Sequence, residues 1–374
     1  MTRAGRATRH GIVAVAVALV PACAGIGGIP APTDAGLAAG TSKLYVVNQG
    51  GATISVIDQV RLAVDTVLDL RALGFTANAK PHHVAVEDDG AHWYVSLIGD
   101  GRVLKFDRAN RLVGQVRMET PGLLTLDPVH DSLYVGRSMT AVNPPRSLGI
   151  IARAGFTLVD EQEIVIARPH AIAVTPDGRW VHTASLAENR IASLETATGR
   201  VVLSTVPGVP RSLVQFALSR DGRWMVAGGE LSNTLLLFDL TRPPPLQPVK
   251  EIALEGKPWE PRFLADGRTV YVTLLARNAL AEVDVESGTV RRVIEGRMAQ
   301  PYSMLVRSDG RYAFVVNQNT GALKEGQSGH EMHGMTGHAA TDGWLSIIDL
   351  RSGTLVSTLM LGNGPTGLGA AGAR

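Results

Sequence analysis

The feature that most constrains this chain is a unit recurring along it at a period of about 40 to 50 residues. A proline opens a short apolar run at Pro81, Pro121, Pro169, Pro258, Pro301 and Pro365, with a looser match near Pro210. In four of these units the Gly of an Asp-Gly pair follows nine residues later, at Gly90, Gly178, Gly267 and Gly310; Asp221-Gly222 holds that place in the looser unit. Asp-Gly between apolar runs is a hairpin signal, because glycine takes positive φ without a Cβ clash. A β-rich run comes next, such as Trp93-Tyr94-Val95, Leu133-Tyr134-Val135 or Val270-Tyr271-Val272. A third strand follows, at Thr53–Asp58, Arg102–Asp107, Thr234–Asp239, Ala279–Asp284 and Trp344–Asp349. A second glycine turn (Gly199, Gly288, Gly353) then leads into a fourth. Four short strands per unit at this period predict the blades of an all-β propeller.

Counting predicts seven blades. The first lacks its opening strand, since Lys43-Leu44-Tyr45-Val46-Val47-Asn48 already reads as a second strand. The chain ends with the missing piece, Gly364-Pro365-Thr366-Gly367-Leu368-Gly369. The C-terminal strand is therefore expected to complete the N-terminal blade and close the ring, removing exposed sheet edges. The 41 Gly and 20 Pro among 374 residues suit so many turns and fall short of a disordered composition. Helical periodicity is absent.

Tyr45-Val46-Val47-Asn48 and Phe314-Val315-Val316-Asn317, with the Pro-x-x-apolar and Asp-Gly-Arg elements, resemble the YVTN repeats of seven-bladed β-propellers. The resemblance covers about residues 42–372. The chain is similar, more distantly, to the haem d1 domain of cytochrome cd1 nitrite reductase and to propeller lactonases. That superfamily is functionally mixed, so the resemblance implies a fold and no single activity.

The N-terminus predicts export. Arg3, Arg6, Arg9 and His10 precede an apolar run from Gly11 to Val20, then Pro21-Ala22-Cys23-Ala24-Gly25. Ten apolar residues are too few to span a bilayer, and the pattern is that of a secretory signal. Cys23 is the only cysteine, which excludes a disulfide framework and cysteine-cluster metal sites. It falls where a bacterial lipobox needs one, although Pro21 is atypical there; the alternative is an ordinary cleavage site that discards it. The expected organisation is a signal at 1–23, a Gly/Ala/Pro-rich tether at 24–41 and a propeller at 42–374. Beyond residue 22 the chain carries 33 basic and 34 acidic residues, giving no electrostatic footprint for nucleic acid. Membrane attachment is expected only through the lipid.

Blade geometry sorts the polar residues. Loops into first strands, and loops from second to third strands, share one face; the Asp-Gly turns occupy the other. His82, His83, His170, Trp259 and Tyr302 follow the repeat prolines and should ring the channel mouth. Arg102, Arg137, Arg190 and Arg277 lie on the same face and could form a collar for ligand carboxylates. The longest second-to-third-strand loop holds His330, Met332, His333, Met335 and His338. Imidazole with thioether suits copper, Met selecting the cuprous state; zinc would leave the methionines unexplained. A plain solvated insertion is the alternative. His92 and His130 fall on the turn face, and His182 within a strand.

No Gly-x-Ser-x-Gly elbow, His-Glu-x-x-His or phosphate-cradling loop is present, so a binding module is expected rather than an enzyme. Its ligand would be a metal ion or small molecule on the mouth face, with an envelope protein as a further partner. The resemblance to the haem d1 domain implies another candidate, a tetrapyrrole over this face with His82, His83 or His170 on its iron. Covalent c-type haem is excluded, because Cys-x-x-Cys-His is missing. A protein-interaction scaffold is the third.

Overall fold

A computed structural model describes residues 1–2, 42–137, 146–321 and 341–372. Cys23, the signal, the tether and the His/Met segment at 330–338 lie outside the described residues. Seven four-stranded antiparallel sheets make up the described chain. The only other regular element there is a single 3-10 turn, Leu70–Leu73. We number the blades by their innermost strands: Pro365–Ala370 (blade 1), Pro81–Val86 (2), Pro121–Leu126 (3), Pro169–Val174 (4), Leu213–Leu218 (5), Pro258–Phe263 (6) and Pro301–Val306 (7). Each inner strand contacts the next in this cyclic order, blade 7 returning to blade 1, so the seven surround an axis.

Ring closure is as expected. Pro365–Ala370 pairs antiparallel with Lys43–Asn48, setting Leu368 opposite Val46 and Gly369 opposite Tyr45. The core lies between blades. Leu44, Val46 and Leu368 of blade 1 pack on Phe314, Val316 and Leu345 of blade 7. On the other side Tyr45 stacks on Trp93 of blade 2 at 4.1 Å, and Trp93 on Phe106 at 4.2 Å. Each blade thus buries both of its faces, which is why the middle strands read as apolar runs rather than alternating ones.

The predicted turns form as read. Gly90, Gly178, Gly222, Gly267 and Gly310 all have φ between 64° and 73°. The terminal Asn of the YVTN-like strings also has a physical role. Asn48 Nδ2 donates to Ser55 Oγ, and Asn317 Nδ2 donates to Ser346 Oγ, each at 3.0 Å across to the third strand. Asn317 Oδ1 also accepts from the Ala299 backbone, tying the blade to the loop that leads into its own inner strand. Both residues are fully buried, where an amide needs such partners.

Candidate functional site at the channel mouth

The backbone at each inner-strand start has one recurring conformation. The preceding residue has positive φ in all seven blades: Lys80, Thr120, Arg168, Ser212, Lys257, Gln300 and Gly364, between 40° and 60°. Six of these are not glycine, and five precede proline, which disfavours helical backbone before it. The pairing with the second strand then slips, as between Pro81 and His83 or Pro258 and Pro261; the same slip occurs in every blade. A bulge re-aims side chains that a flat strand would send to opposite faces. Two successive residues of each strand are therefore available at the mouth.

The first such row is Thr366, His82, Gly122, His170, Val214, Trp259 and Tyr302, all buried. Its members link strand to strand. Thr366 donates to the His82 carbonyl at 3.1 Å. His170 Nδ1 lies 2.7 Å from the Val214 carbonyl, and Trp259 and Tyr302 meet at 4.9 Å between ring centres. Val214, Trp259, Leu275 and Tyr302 make an apolar arc with Leu186. His82 Nδ1 sits 2.9 Å from Gln49 Oε1.

The second row carries more charge: Gly367, His83, Leu123, Ala171, Gln215, Glu260 and Ser303. Ser303 donates to Glu260 Oε2 at 2.6 Å, the Met304 backbone also bonds this carboxyl, and Arg262, two residues along the strand, pairs with Oε1. Burial pushes the Glu260 carboxyl up from its ordinary range, against the lowering influence of Arg262 and Ser303. Tyr302 is pushed well up by burial, then by the negative fields of Glu260 and Glu230.

His83 feels the charge of Arg262 and of His170, although their strands are not neighbours. His83 is lowered to about 3, chiefly by burial and then in the same direction by the Arg262 guanidinium and His170. His83 is in blade 2, His170 in blade 4 and Arg262 in blade 6, with one or more blades between each pair. All three belong to inner strands, which surround the axis. His170 is lowered to about 4 by burial, opposed by its bond to Val214.

Hydrogen bonding sets the two tautomers apart. The Leu124 amide donates to His83 Nδ1 at 3.2 Å, so that atom holds a lone pair and the proton is on Nε2. His170 Nδ1 faces a carbonyl and holds its proton there, placing the lone pair on Nε2. Neutral His83 therefore offers the channel a donor. His170 has the tautomer that a metal ligand needs.

The arginines lie on the mouth-side loops but are mostly engaged. Arg137 is buried, donating to Glu161 at 2.7 Å and to the Glu119 carbonyl at 2.6 Å. Arg190 pairs with Glu188 at 3.2 Å and Arg277 with Glu295 at 3.0 Å. Arg102 lines a surface cleft with Thr76, Asp100 and Gln115. On the turn face, His92 bonds Glu87 and His130 bonds Asp127. Among the described residues no group of three or more His, Cys, Asp or Glu could hold a metal. The His/Met cluster lies outside the described residues; of those that flank the gap, Thr320 donates its amide to Gln300 Oε1 at 2.7 Å, and Thr341 donates to the Asn319 carbonyl at 2.6 Å. Gln300 immediately precedes Pro301 and Tyr302.

Glu260, Arg262 and Ser303 were not legible as site residues from the sequence. The signal was there: in the proline-aligned units, Pro258-Trp259-Glu260-Pro261-Arg262 places two charges where the other units carry mostly apolar or small residues.

No family profile and no curated protein matches the chain. Solved structures do. A functionally unknown protein from Desulfotomaculum acetoxidans is 12% identical with a TM-score of 0.70, over 88% of this chain and 99% of that one. The Pseudomonas aeruginosa periplasmic gluconolactonase PpgL is 20% identical, TM-score 0.67, over 89% and 99%. Dihydro-heme d1 dehydrogenase NirN is 17% identical, TM-score 0.57, over 89% and 75%. The fold is the seven-bladed β-propeller shared with haem d1 and lactonase proteins. At these identities the likeness is one of architecture, and chemistry has to be argued from the side chains. Among the described residues no helix is long and apolar enough to cross a membrane.

Proposed function

We propose that this protein is an exported, lipid-anchored binding propeller that takes its ligand at the channel mouth. The observation that carries the reading is the ring of inner strands around the axis, three non-adjacent members of which bear His83, His170 and Arg262. Perturbed titratable groups gathered in a concavity are where ligands are expected. The groups that surround Glu260 hold it in the wall, which favours binding over catalysis.

A transition metal is the first candidate ligand, with copper ahead of zinc. His330, Met332, His333, Met335 and His338 would supply the donors; of the described residues on either side, Thr320 bonds Gln300 and Thr341 bonds the Asn319 carbonyl. The tautomer of His170 suits it to be a further ligand. Purified protein is expected to take up about one Cu(I), and the triple variant His330→Ala/His333→Ala/Met335→Ala to bind it at least tenfold more weakly. Unchanged affinity in that variant would remove the loop from the site. A visible absorption band on adding a tetrapyrrole would instead favour the haem d1-like reading, for which the same His170 tautomer is suitable. Protein from the native envelope that is free of both metal and tetrapyrrole would favour an envelope-protein scaffold.

The signal at 1–23 supports export, and the likeness to a periplasmic propeller agrees with it. Acylation at Cys23 would anchor the protein stably, because more than one acyl chain is attached. Cys23→Ser is expected to move the protein from the membrane fraction to the soluble fraction at unchanged thermal stability. A variant still bound to membranes and fully processed would mean that Cys23 is not the anchor.

A further inference from the structure

A cleft of about 290 Å³ opens on the rim of the mouth face, between the connection from blade 1 to blade 2 and the third and fourth strands of blade 2. Leu73, Phe75 and Thr76 line it from the connection, and Asp100, Arg102 and Gln115 from the blade. Both walls are held by the chain itself. Leu70, at the head of the 3-10 turn, is buried and donates its amide to the Ala52 carbonyl at 3.0 Å, and Gly74 ends the turn in the left-handed region at φ 90°. Thr76 then ties one wall to the other: its amide donates to Asp100 Oδ2 at 2.9 Å and its hydroxyl to Oδ1 at 2.5 Å. Each carboxylate oxygen keeps acceptor capacity beyond these bonds. The Met118 amide donates to the Gly101 carbonyl at 3.0 Å, which fixes the turn that leads into Arg102. Among the described residues the side chains of Arg102 and Gln115 have no hydrogen bond or ion pair, so none joins Arg102 to Asp100.

We infer that this cleft binds a free α-amino acid with an apolar side chain. A guanidinium and a carboxylate that line one cleft without pairing to each other match a ligand that carries both charges. The planar fork of Arg102 takes the ligand carboxylate in two parallel bonds, and the ligand ammonium donates to Asp100. A ligand of a single sign gains at one group and loses at the other: a divalent cation meets Arg102, and a phosphate meets Asp100. The apolar part follows from the other wall, where Leu73 is 42% exposed and Phe75 lies beside it. Size restricts the class further. At about 290 Å³ the cleft is at the small end of ligand pockets, which run from about 300 to 1,000 Å³, and so suits an amino acid rather than a macrocycle. This site depends on neither the His/Met segment nor the residues around the axis.

The test is equilibrium dialysis of radiolabelled L-leucine against the detergent-solubilised full chain, with isoamylamine and 4-methylpentanoate as competitors. The first lacks the carboxylate of leucine and the second its ammonium group. Saturable binding is expected, with each competitor about tenfold or more weaker than unlabelled leucine, the loss of one charged hydrogen bond. Arg102→Gln is expected to weaken leucine about tenfold or more. Its urea midpoint should stay at the parent value, since the arginine side chain has no partner among the described residues to lose. Asp100→Asn, whose carbonyl still accepts from Thr76, is expected to bind leucine and 4-methylpentanoate alike. No saturable binding at millimolar leucine, or equal binding by the parent and Arg102→Gln, would overturn the site; a competitor as strong as leucine in the parent would overturn the amino-acid assignment. The His330→Ala/His333→Ala/Met335→Ala variant separates this site from the metal reading. It should bind leucine as the parent does, whether or not it has lost copper.

Discussion

Gly367→Ala is expected to destabilise the protein by about 3 kcal/mol, at the upper end of what overpacking costs. Gly367 is on the C-terminal strand that completes blade 1. A Cβ there would fall 2.6 Å from the His82 carbonyl oxygen and 2.9 Å from the His83 Cα, both backbone atoms of blade 2. No rotamer change can relieve a collision with backbone, so the strand must move. It has one pairing partner, Lys43–Asn48, and its far side is the inner edge of the sheet. Displacement would open the seal on which ring closure depends and would tilt His82 and His83 at the mouth. Gly296→Ala is the matched control. A Cβ at that exposed glycine meets nothing within 4 Å, and its φ is not in the left-handed region, so a change within about 0.5 kcal/mol is expected. Urea denaturation followed by tryptophan fluorescence measures both. Coincident midpoints for Gly367→Ala and the parent would show that the closing strand does not pack against blade 2 this tightly.

Acidification should weaken the fold well above the pH at which its surface carboxylates titrate. His170 and His182 are both buried and both lowered from 6.5 to about 4, chiefly by burial. The folded form thus holds fewer protons than the unfolded chain between those values. Stability is full above about 6.5, the unfolded value, and is lost as pH falls to about 4. The loss is on the order of 3 kcal/mol for each buried imidazole. His83 acts in the same direction. Asp284 and the other aspartates lowered by arginine or backbone donors add their losses only below 3.8, the ordinary aspartate value. Glu260 runs the other way, because its raised carboxyl keeps a proton that the unfolded chain has released. The difference between two proteins therefore isolates one histidine better than a total slope does. His182 suits this, since its Nδ1 meets Ser193 Oγ at 2.9 Å and its buried Nε2 has no hydrogen-bond partner among the described residues. His182→Gln is expected to lose less stability than the parent between pH 7 and pH 4.5. Parallel losses in the two proteins would mean that His182 is not the buried neutral imidazole described here.

The repeat was enough to define the architecture. A blade is a local object: its hairpins are specified by Asp-Gly turns, its strands by short apolar runs, and its period by the distance between prolines. The split first blade was legible too, because Tyr45-Val46-Val47-Asn48 matches a second strand and Pro365-Thr366-Gly367 a first. What lies within one repeat can be read along the chain. What faces the axis cannot, because it depends on which residues from separate blades meet. Glu260 and Ser303 are 43 residues apart, in different blades, and nothing local to either indicates that they meet. The bulge after each repeat proline was equally hidden. It follows from positive φ at Lys80, Arg168 and Lys257, side chains that carry no left-handed preference of their own, and only the surrounding ring holds them there. That bulge re-aims the third residue of each strand as well as the second, and Glu260 and Ser303 are third residues. Local propensity determined the blades, and closure of the ring decided which side chains meet.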